Sequence, residues 1–286
     1  MSCIEFPSAA LQRLTADAAR CQSARGGSFN ATAEKVRKAC EVCVECMRVA
    51  ERGLQSKDFI NGMQVADAVG ICMLKNKCHS ACMCDGDGFG YPCCVSVNDC
   101  AAHGTPTTEP FQDGDLIKVD IVVHHGEGGM GDMARTFIYG ESQSDAHTQF
   151  VLATKCLLCV IVDNFNKRST RNRAALESEM TEQYNNFELT SEYFVMRDLT
   201  GHRIGARMHL KPFIGNGNTD VPLAAGMTVC IEPVTVLANG APTSSKFVSD
   251  HQGNIRSVHS QNRTAHHENT YVIDSNLKLQ PLTCYN

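Results

Sequence analysis

The chain of 286 residues contains no tryptophan, so any ligand pocket must be lined by phenylalanine, tyrosine, methionine or cysteine. Long hydrophobic runs are also missing. The longest, 156–162, is far shorter than the roughly 20 residues of a transmembrane helix. No basic segment followed by an apolar stretch opens the chain, so we expect no signal peptide. A net charge of −5 and a pI of about 6.1 indicate neither nucleic acid nor an anionic membrane as a partner.

A linker rich in proline, glycine and serine is absent as well, which favours one main domain. The composition, 43% hydrophobic and 20% charged, is that of an ordinary globular protein. We predict an N-terminal extension over residues 1–29, with a short helix over 9–19, and a domain over residues 30–286. The segment 85–90 matches neither a calcium loop nor a phosphate loop, and we assign it no ligand.

Cysteine, in contrast, is abundant, with 16 residues. Because no secretion signal accompanies them, we expect free thiols in a reducing cytoplasm. Six of them lie close together in sequence: Cys78, Cys82, Cys84, Cys93, Cys94 and Cys100. Their spacing lacks two Cys-x-x-Cys pairs, so buried thiols are favoured and a structural zinc stays the alternative.

Hydrophobic periodicity predicts helices over 32–54, 57–76, 148–165 and 174–187, and strands over 94–98, 193–199, 227–231 and 270–273. Strand-forming residues over 114–123 and 131–139 flank a glycine-rich segment and predict a β-hairpin. Asp120 lies within its first strand and Asp132 begins its second. A buried carboxylate is costly unless it is paired or bound to a metal. The hairpin therefore predicts two neighbouring acids that a divalent cation would stabilise.

Further candidate ligands follow downstream, where His202, Glu232 and Glu268 lie at the ends of predicted strands or next to them. Oxygen-rich ligands with one imidazole suit Mn²⁺, Fe²⁺, Co²⁺ or Zn²⁺. Taken singly, each of these residues is more often a turn, edge or surface residue, and the five together carry the hypothesis.

The order Asp, Asp, His, Glu, Glu resembles that of the methionine aminopeptidases. The matching segments are 96–106, Gly114–Asp120, Gly131–Phe137, Gly201–Gly205 with His209, and Gly226–Pro233. The short interval between Glu232 and Glu268 leaves no room for the helical insertion of the type 2 enzymes, so the type 1 enzymes are the nearer match. This resemblance implies a mixed α/β pita-bread fold, in which helices cover a pseudo-symmetric antiparallel sheet that holds a dinuclear metal site.

The resemblance also implies the roles of individual residues. Asp132 and Glu268 would bridge two divalent ions, with Asp120 on one ion and His202 and Glu232 on the other. Glu232 would transfer a proton, and His103 and His209 would contact the substrate and stabilise the tetrahedral intermediate. The expected pocket for the methionine side chain is made of soft, apolar residues, namely Phe89, Tyr91, Cys94 and Met208. His103 and His209 would contact the substrate beside this pocket.

The implied function is removal of the initiator methionine from nascent chains by a cytoplasmic monomer, with the ribosome as a further candidate partner. Two departures from the family pattern stand out, since Arg203 replaces the usual glycine after His202 and His266 replaces a usual glutamine. Two alternatives stay open. One is a non-catalytic relative that binds peptides, ribosomes or RNA, against which the complete ligand set argues. The other is an X-Pro aminopeptidase or prolidase, for whose large N-terminal domain the extension is too short.

Overall fold

The computed structural model describes residues 32–84, 89–142, 144–190, 193–199, 201–215, 221–238 and 246–284. The predicted N-terminal extension, its helix over 9–19 and most of the segment 85–90 lie outside the described residues. The division of the chain at residue 30 therefore stays a prediction.

Four long helices account for the helical part of the fold, with one short helix between them. They are α1 (Ala33–Gln55), α2 (Gly62–Lys75), the short α3 (Ala81–Cys84), α4 (Asp145–Lys167) and α5 (Arg173–Thr190). The predicted start of α2 at residue 57 is wrong, because Asn61 caps the helix with a side-chain oxygen that accepts from the Gln64 backbone N–H at 3.0 Å.

Fifteen short and long strands are present in the described residues. They are β1 (Cys78–Ser80), β2 (Cys94–Val97), β3 (Cys100–Ala102), β4 (Leu116–His125), β5 (Met130–Ile138), β6 (Tyr193–Val195), β7 (His202–Ile204), β8 (Leu210–Phe213), β9 (Thr228–Ile231), β10 (Val234–Leu237), β11 (Phe247–Ser249), β12 (Ile255–Ser257), β13 (Arg263–His266), β14 (Glu268–Ile273) and β15 (Leu279–Pro281). The strand predicted over 193–199 is too long. A hydrogen bond from the Leu199 N–H to the Met196 carbonyl closes a turn directly after β6.

The largest sheet is antiparallel and has the strand order β1-β4-β5-β14-β9-β7-β8, with β2 added to β4 and β15 added to β14. The predicted hairpin is its centre, since β4 and β5 pair over nine residues from Leu116↔Ile138 to His124↔Met130. Side chains alternate between the two faces of a strand. Val119 and Ile121 therefore lie in the core under the helices, and Asp120 lies on the opposite face.

Two similar cores cover one face of this sheet. The first packs α1 and α2 on β4 and β5 and includes Met47, Val69 and Ile121. The second packs α4 and α5 on β9, β14 and β15. Each half thus has a helix pair over antiparallel strands, which agrees with the predicted pseudo-symmetry. By length and composition α4 could cross a bilayer, and its residues Leu158, Ile161 and Phe165 are buried in the second core.

Gly131 lies where α1 crosses β5, and a methyl group there would meet the backbone of α1. A Cβ on Gly131 would lie 2.7 Å from the Cys40 backbone nitrogen and 2.9 Å from its Cα. We expect Gly131→Ala to lower the free energy of unfolding by about 1–3 kcal/mol, because the helix must shift to relieve the overlap. Urea unfolding measures this loss.

Gly126→Ala is the matched control in the same hairpin. Its added Cβ would meet only the Lys77 carbonyl oxygen, at an ordinary contact distance of 3.7 Å. We expect a change within about 0.5 kcal/mol. Equal stability of the two variants would show that α1 is not held against β5 as described.

Candidate metal centre

The five predicted ligands lie together on the face of the sheet that the helices leave open. Asp120, Asp132, His202, Glu232 and Glu268 line one cavity of about 450 Å³. Strand register explains the meeting of three of them. Ala134 on β5 pairs with Asp120 of β4 on one side and with Glu268 of β14 on the other. Asp132 precedes Ala134 by two residues, so its side chain leaves β5 on the same face.

The other half of the sheet supplies His202 and Glu232. His202 of β7 pairs with Cys230 of β9, and Glu232 follows Cys230 by two residues. The His202 Nε2 atom lies 3.5 Å from Glu232 Oε1 and 3.8 Å from Asp132 Oδ2. Its Nδ1 lies 3.2 Å from the Arg203 carbonyl oxygen, and a carbonyl can only accept. Nδ1 therefore carries the proton, and the lone pair of Nε2 faces the carboxylates.

His266 is a further member of the site to which the sequence assigned no role. Its Nε2 lies 3.5 Å from Glu232 Oε2 and 3.9 Å from Glu268 Oε2, and the residue is 2% exposed. Burial lowers the pKa of His266 to about 4, and the Asp120 carboxylate is the neighbouring charge that raises it most. Strand periodicity was the available signal, because residues 266 and 268 are two apart and Glu268 was already a candidate ligand.

The carboxylates repel one another in this buried setting. Burial raises the pKa of Asp132, Glu232 and Glu268 well above the usual range, and neighbouring carboxylates raise each of them further. Burial raises the pKa of Asp120 as well. Among the described residues, Asp120 Oδ1, Asp132 Oδ1 and Glu268 Oε1 are buried oxygens without a hydrogen-bond partner. Unpartnered acceptors, mutual repulsion and a facing imidazole together fit a divalent cation.

A second layer of hydrogen bonds fixes the strands that carry the ligands. Arg135 donates from Nη1 to the Glu268 carbonyl at 2.5 Å and from Nη2 to Asn269 Oδ1 at 2.6 Å and the Thr283 carbonyl at 3.4 Å. The Thr270 hydroxyl donates to the Asp132 carbonyl at 2.8 Å and accepts from the Asp132 N–H at 3.1 Å. The backbones of Asp132 and Glu268 are therefore fixed relative to the neighbouring strands.

The predicted substrate residues divide into two groups. Five of them line the same cavity as the ligands: Phe89, Cys94, His103, Met208 and His209. The ring centroids of His209 and His202 are 4.6 Å apart in an edge-to-face contact. Tyr91 is not among the lining residues and instead packs edge-on against Phe89, with 5.6 Å between the ring centroids. Its contact with a substrate stays a prediction.

The sequence did not predict the part of the cavity wall formed by Thr105, Gln252 and Gly253. This wall is a turn held by Asp250, whose Oδ1 accepts from the backbone N–H groups of Gln252 and Asn254. Asn254 in turn accepts from the Thr105 N–H at 2.7 Å. An Asp and an Asn flanking Gln-Gly indicate such a turn, but its contact with Thr105 spans 149 residues and leaves no local signal.

The remaining sequence features are the cysteine cluster, of which Cys82 and Cys94 line the cavity, and Arg203. Cys78, Cys82, Cys93, Cys94 and Cys100 are free and buried, and the side chain of Cys84 lies outside the described residues. Arg203 is not among the lining residues of the cavity, because it alternates with His202 and Ile204 along β7. The arginine therefore lies on the face opposite the ligands.

Comparison with known proteins identifies the family. The sequence profile described as Metallopeptidase family M24 matches residues 34–275, which is most of the chain. The chain belongs to this metallopeptidase family. Among curated relatives, it is 28% identical to methionine aminopeptidase 1B, chloroplastic, of Arabidopsis thaliana, over 71% of this chain and 53% of that protein. It is 27% identical to a methionine aminopeptidase of Mycoplasma capricolum, over 76% of this chain and 82% of that protein.

Solved structures show the same fold. The M24 chain matches a methionine aminopeptidase of Thermotoga maritima with a TM-score of 0.73 and 24% identity, covering 90% of this chain and 99% of that one. A prolidase of Pyrococcus furiosus matches with a TM-score of 0.66 and 17% identity, covering 88% of this chain and 64% of that one. The predicted pita-bread fold is thereby confirmed. Membership of a metallopeptidase family also assigns a divalent metal to the chain, for which the acidic cavity offers the ligands.

Stability of the metal-free M24 protein should fall as the pH rises through the folded-state pKa values of its buried carboxylates. Burial and mutual repulsion raise the pKa of Asp132, Glu232 and Glu268, so the folded state keeps these protons to a higher pH than the unfolded chain does. In the unfolded chain the carboxyl pKa values are about 4. Their contribution is complete below about pH 4 and is lost as the pH rises through the folded-state values.

The unfolding temperature of chelator-treated protein, measured at several pH values, tests this expectation. Asp132→Asn should flatten the slope, because one of the repelling groups is removed. Added Mn²⁺ should also flatten it, since a cation binds the ionised carboxylates. A midpoint that rises over this pH range in the metal-free wild type would contradict the assigned electrostatics.

Proposed function

We propose that this M24 protein is a metal-dependent methionine aminopeptidase that removes the N-terminal methionine from nascent proteins. The observation that carries the proposal is one cavity lined by the five candidate metal ligands and, beside them, by Phe89, Cys94 and Met208. Such soft, apolar side chains suit a thioether. The relatives named methionine aminopeptidase support the same substrate class.

The proposed cofactor is a pair of divalent ions of Mn, Fe, Co or Zn. Asp132 and Glu268 would bridge them, Asp120 would complete the first ion's ligands, and His202 with Glu232 would complete those of the second. Bound there, the ions would supply Lewis acidity toward the scissile carbonyl and a water of lowered pKa. The lone pair of His202 Nε2 and the unpartnered oxygens of Asp120, Asp132 and Glu268 support this assignment.

Two further roles belong to side chains of the chain itself. Glu232 would accept a proton from the attacking water and pass it to the leaving amine. His209 and His103 would contact the substrate carbonyl and stabilise the charge that develops on it. Both histidines line the cavity beside the ligands, which supports a position next to the scissile bond.

The same proposal extends to partners and compartment. We infer a cytoplasmic monomer that meets its substrates at or near the ribosome, within a catalytic domain of residues 30–286. The second candidate function is a prolidase-like activity, which the structural likeness to a prolidase keeps open. Hydrolysis of Met-Ala-Ser and of Ala-Pro peptides by the metal-loaded protein separates the two: cleavage of Ala-Pro alone would reject the methionine specificity.

Asp132→Asn should abolish activity and lower the metal content. The substitution removes one charge from between two cations while keeping the size of the side chain. Metal per chain, measured by mass spectrometry after dialysis, and Met-Ala-Ser hydrolysis report the two effects. Asp113→Asn is the control, because Asp113 is an exposed carboxylate paired with Lys57 at 2.7 Å and should be neutral in both assays. Full activity of Asp132→Asn would contradict the proposal of a dinuclear metal centre.

His209→Ala should leave the metal bound and slow the turnover. We assign this side chain to the substrate, and loss of a single donor to the developing charge costs on the order of 10²-fold in kcat. Metal content and kcat are measured on the same preparation. Loss of one equivalent of metal would mean that His209 is a ligand and that its role is misassigned.

A further inference from the structure

His266 is a buried imidazole that the proposed ligand set does not use. Both of its ring nitrogens are buried, and neither has a hydrogen-bond partner among the described residues. A buried polar atom without a partner is costly, and it indicates a missing ligand or ion. The ring faces Glu232 and Glu268, so the missing partner belongs on the side of the acidic cavity.

Hydrogen bonds fix the backbone of His266 relative to β5. The Thr136 hydroxyl donates to the His266 carbonyl at 2.9 Å and accepts from the His266 N–H at 2.8 Å. Thr136 belongs to β5, the strand that also carries Asp132. Residue 266 therefore has a fixed position relative to the strand that carries one of the acids.

The distances around His266 fit a shared ion. Two ligand atoms that each lie about 2.1 Å from one ion are separated by about 3.0–4.2 Å. The His266 Nε2 atom is 3.5 Å from Glu232 Oε2 and 3.9 Å from Glu268 Oε2, within this range. His202, already assigned to the centre, shows the same spacing to its own neighbours, 3.5 Å and 3.8 Å.

The two imidazoles approach different oxygens of one carboxylate. His202 faces Glu232 Oε1 and His266 faces Glu232 Oε2. A carboxylate that bridges two ions presents one oxygen to each, so a ring at each oxygen fits one imidazole per ion. His202 also lies 3.8 Å from Asp132, whereas His266 lies 3.9 Å from Glu268.

We propose that His266 is a metal ligand that shares an ion with Glu268 and with Oε2 of Glu232, so that Glu232 contacts both ions and each ion of the centre has one imidazole. The inference rests on the proposed dinuclear centre. Its consequence is metal selectivity: imidazole suits Zn²⁺, Co²⁺ and Fe²⁺, while a site of oxygens alone suits Mn²⁺ and Mg²⁺. The ion position that His266 binds should therefore discriminate against Mn²⁺ more strongly than carboxylates alone allow.

X-ray absorption of the wild type, loaded with two equivalents of Co²⁺, counts the imidazoles directly. One imidazole per cobalt ion is the expected result. One imidazole for every two ions would mean that His202 alone is bound, and would overturn the proposal. The measurement needs no variant and no peptide, so a misfolded variant or an inactive preparation does not affect it.

Equilibrium competition between Zn²⁺ and Mn²⁺ provides the second test, with His266→Gln against His267→Gln. Glutamine keeps an N–H donor and removes the imidazole lone pair, so a residue that merely donates to Glu232 would be replaced without loss. The control His267 is buried as well, and lies beside α4 with Val151 and Lys155 as neighbours.

For His266→Gln we expect the preference for Zn²⁺ at one position to fall by at least about tenfold, the size seen even for groups that only support ligands. His267→Gln should bind like the wild type. Unchanged zinc affinity in folded His266→Gln would overturn the proposal. Metal content of Asp132→Asn tests the underlying centre separately, since unchanged metal there would reject the centre itself.

Discussion

Repulsion among buried carboxylates is the constraint on which the rest of the structure depends. Asp120, Asp132, Glu232 and Glu268 meet on one sheet face, and the hydrogen bonds of the Arg135 guanidinium go to backbone carbonyls and to Asn269. A divalent cation in the cavity would offset the charge of the four acids. The folded metal-free state carries the repulsion because two helix-covered cores on the other face supply the stability that keeps the strands in register.

Local patterns in the sequence were sufficient to predict most of this framework. The alternation around Asp120 and the glycines after His125 indicate the central hairpin, and register then brings Asp132 onto the same face. Apolar spacing of 3.6 predicts α1 and α4 to within a few residues, since both helices bury one continuous stripe. The candidate ligand set was predicted from motif context, because the order Asp, Asp, His, Glu, Glu resembles that of the methionine aminopeptidases.

The residues that escaped prediction depend mostly on long-range contacts. His266 is two residues from Glu268, and its backbone is also tied to the distant β5 through Thr136. The Gln252–Gly253 wall reaches the cavity only because Asn254 binds the distant Thr105 backbone. The predicted first residue of α2, Lys57, was wrong for a local reason. Asn61 caps the helix, which therefore begins at Gly62. A pattern of apolar residues predicts which face of a helix or strand is buried. It does not predict which distant strand packs against that face.

The hydrogen bonds of Arg135 also bear on the order in which the chain is made. The strand that carries Glu268 is tied to Arg135 and, through the same guanidinium, to the Thr283 carbonyl. During synthesis Asp120 and Asp132 leave the ribosome long before Glu268 and Thr283 do. The growing chain therefore carries only two of the four acids for much of its translation, and the contact between Arg135 and the Thr283 carbonyl forms after those acids have been made.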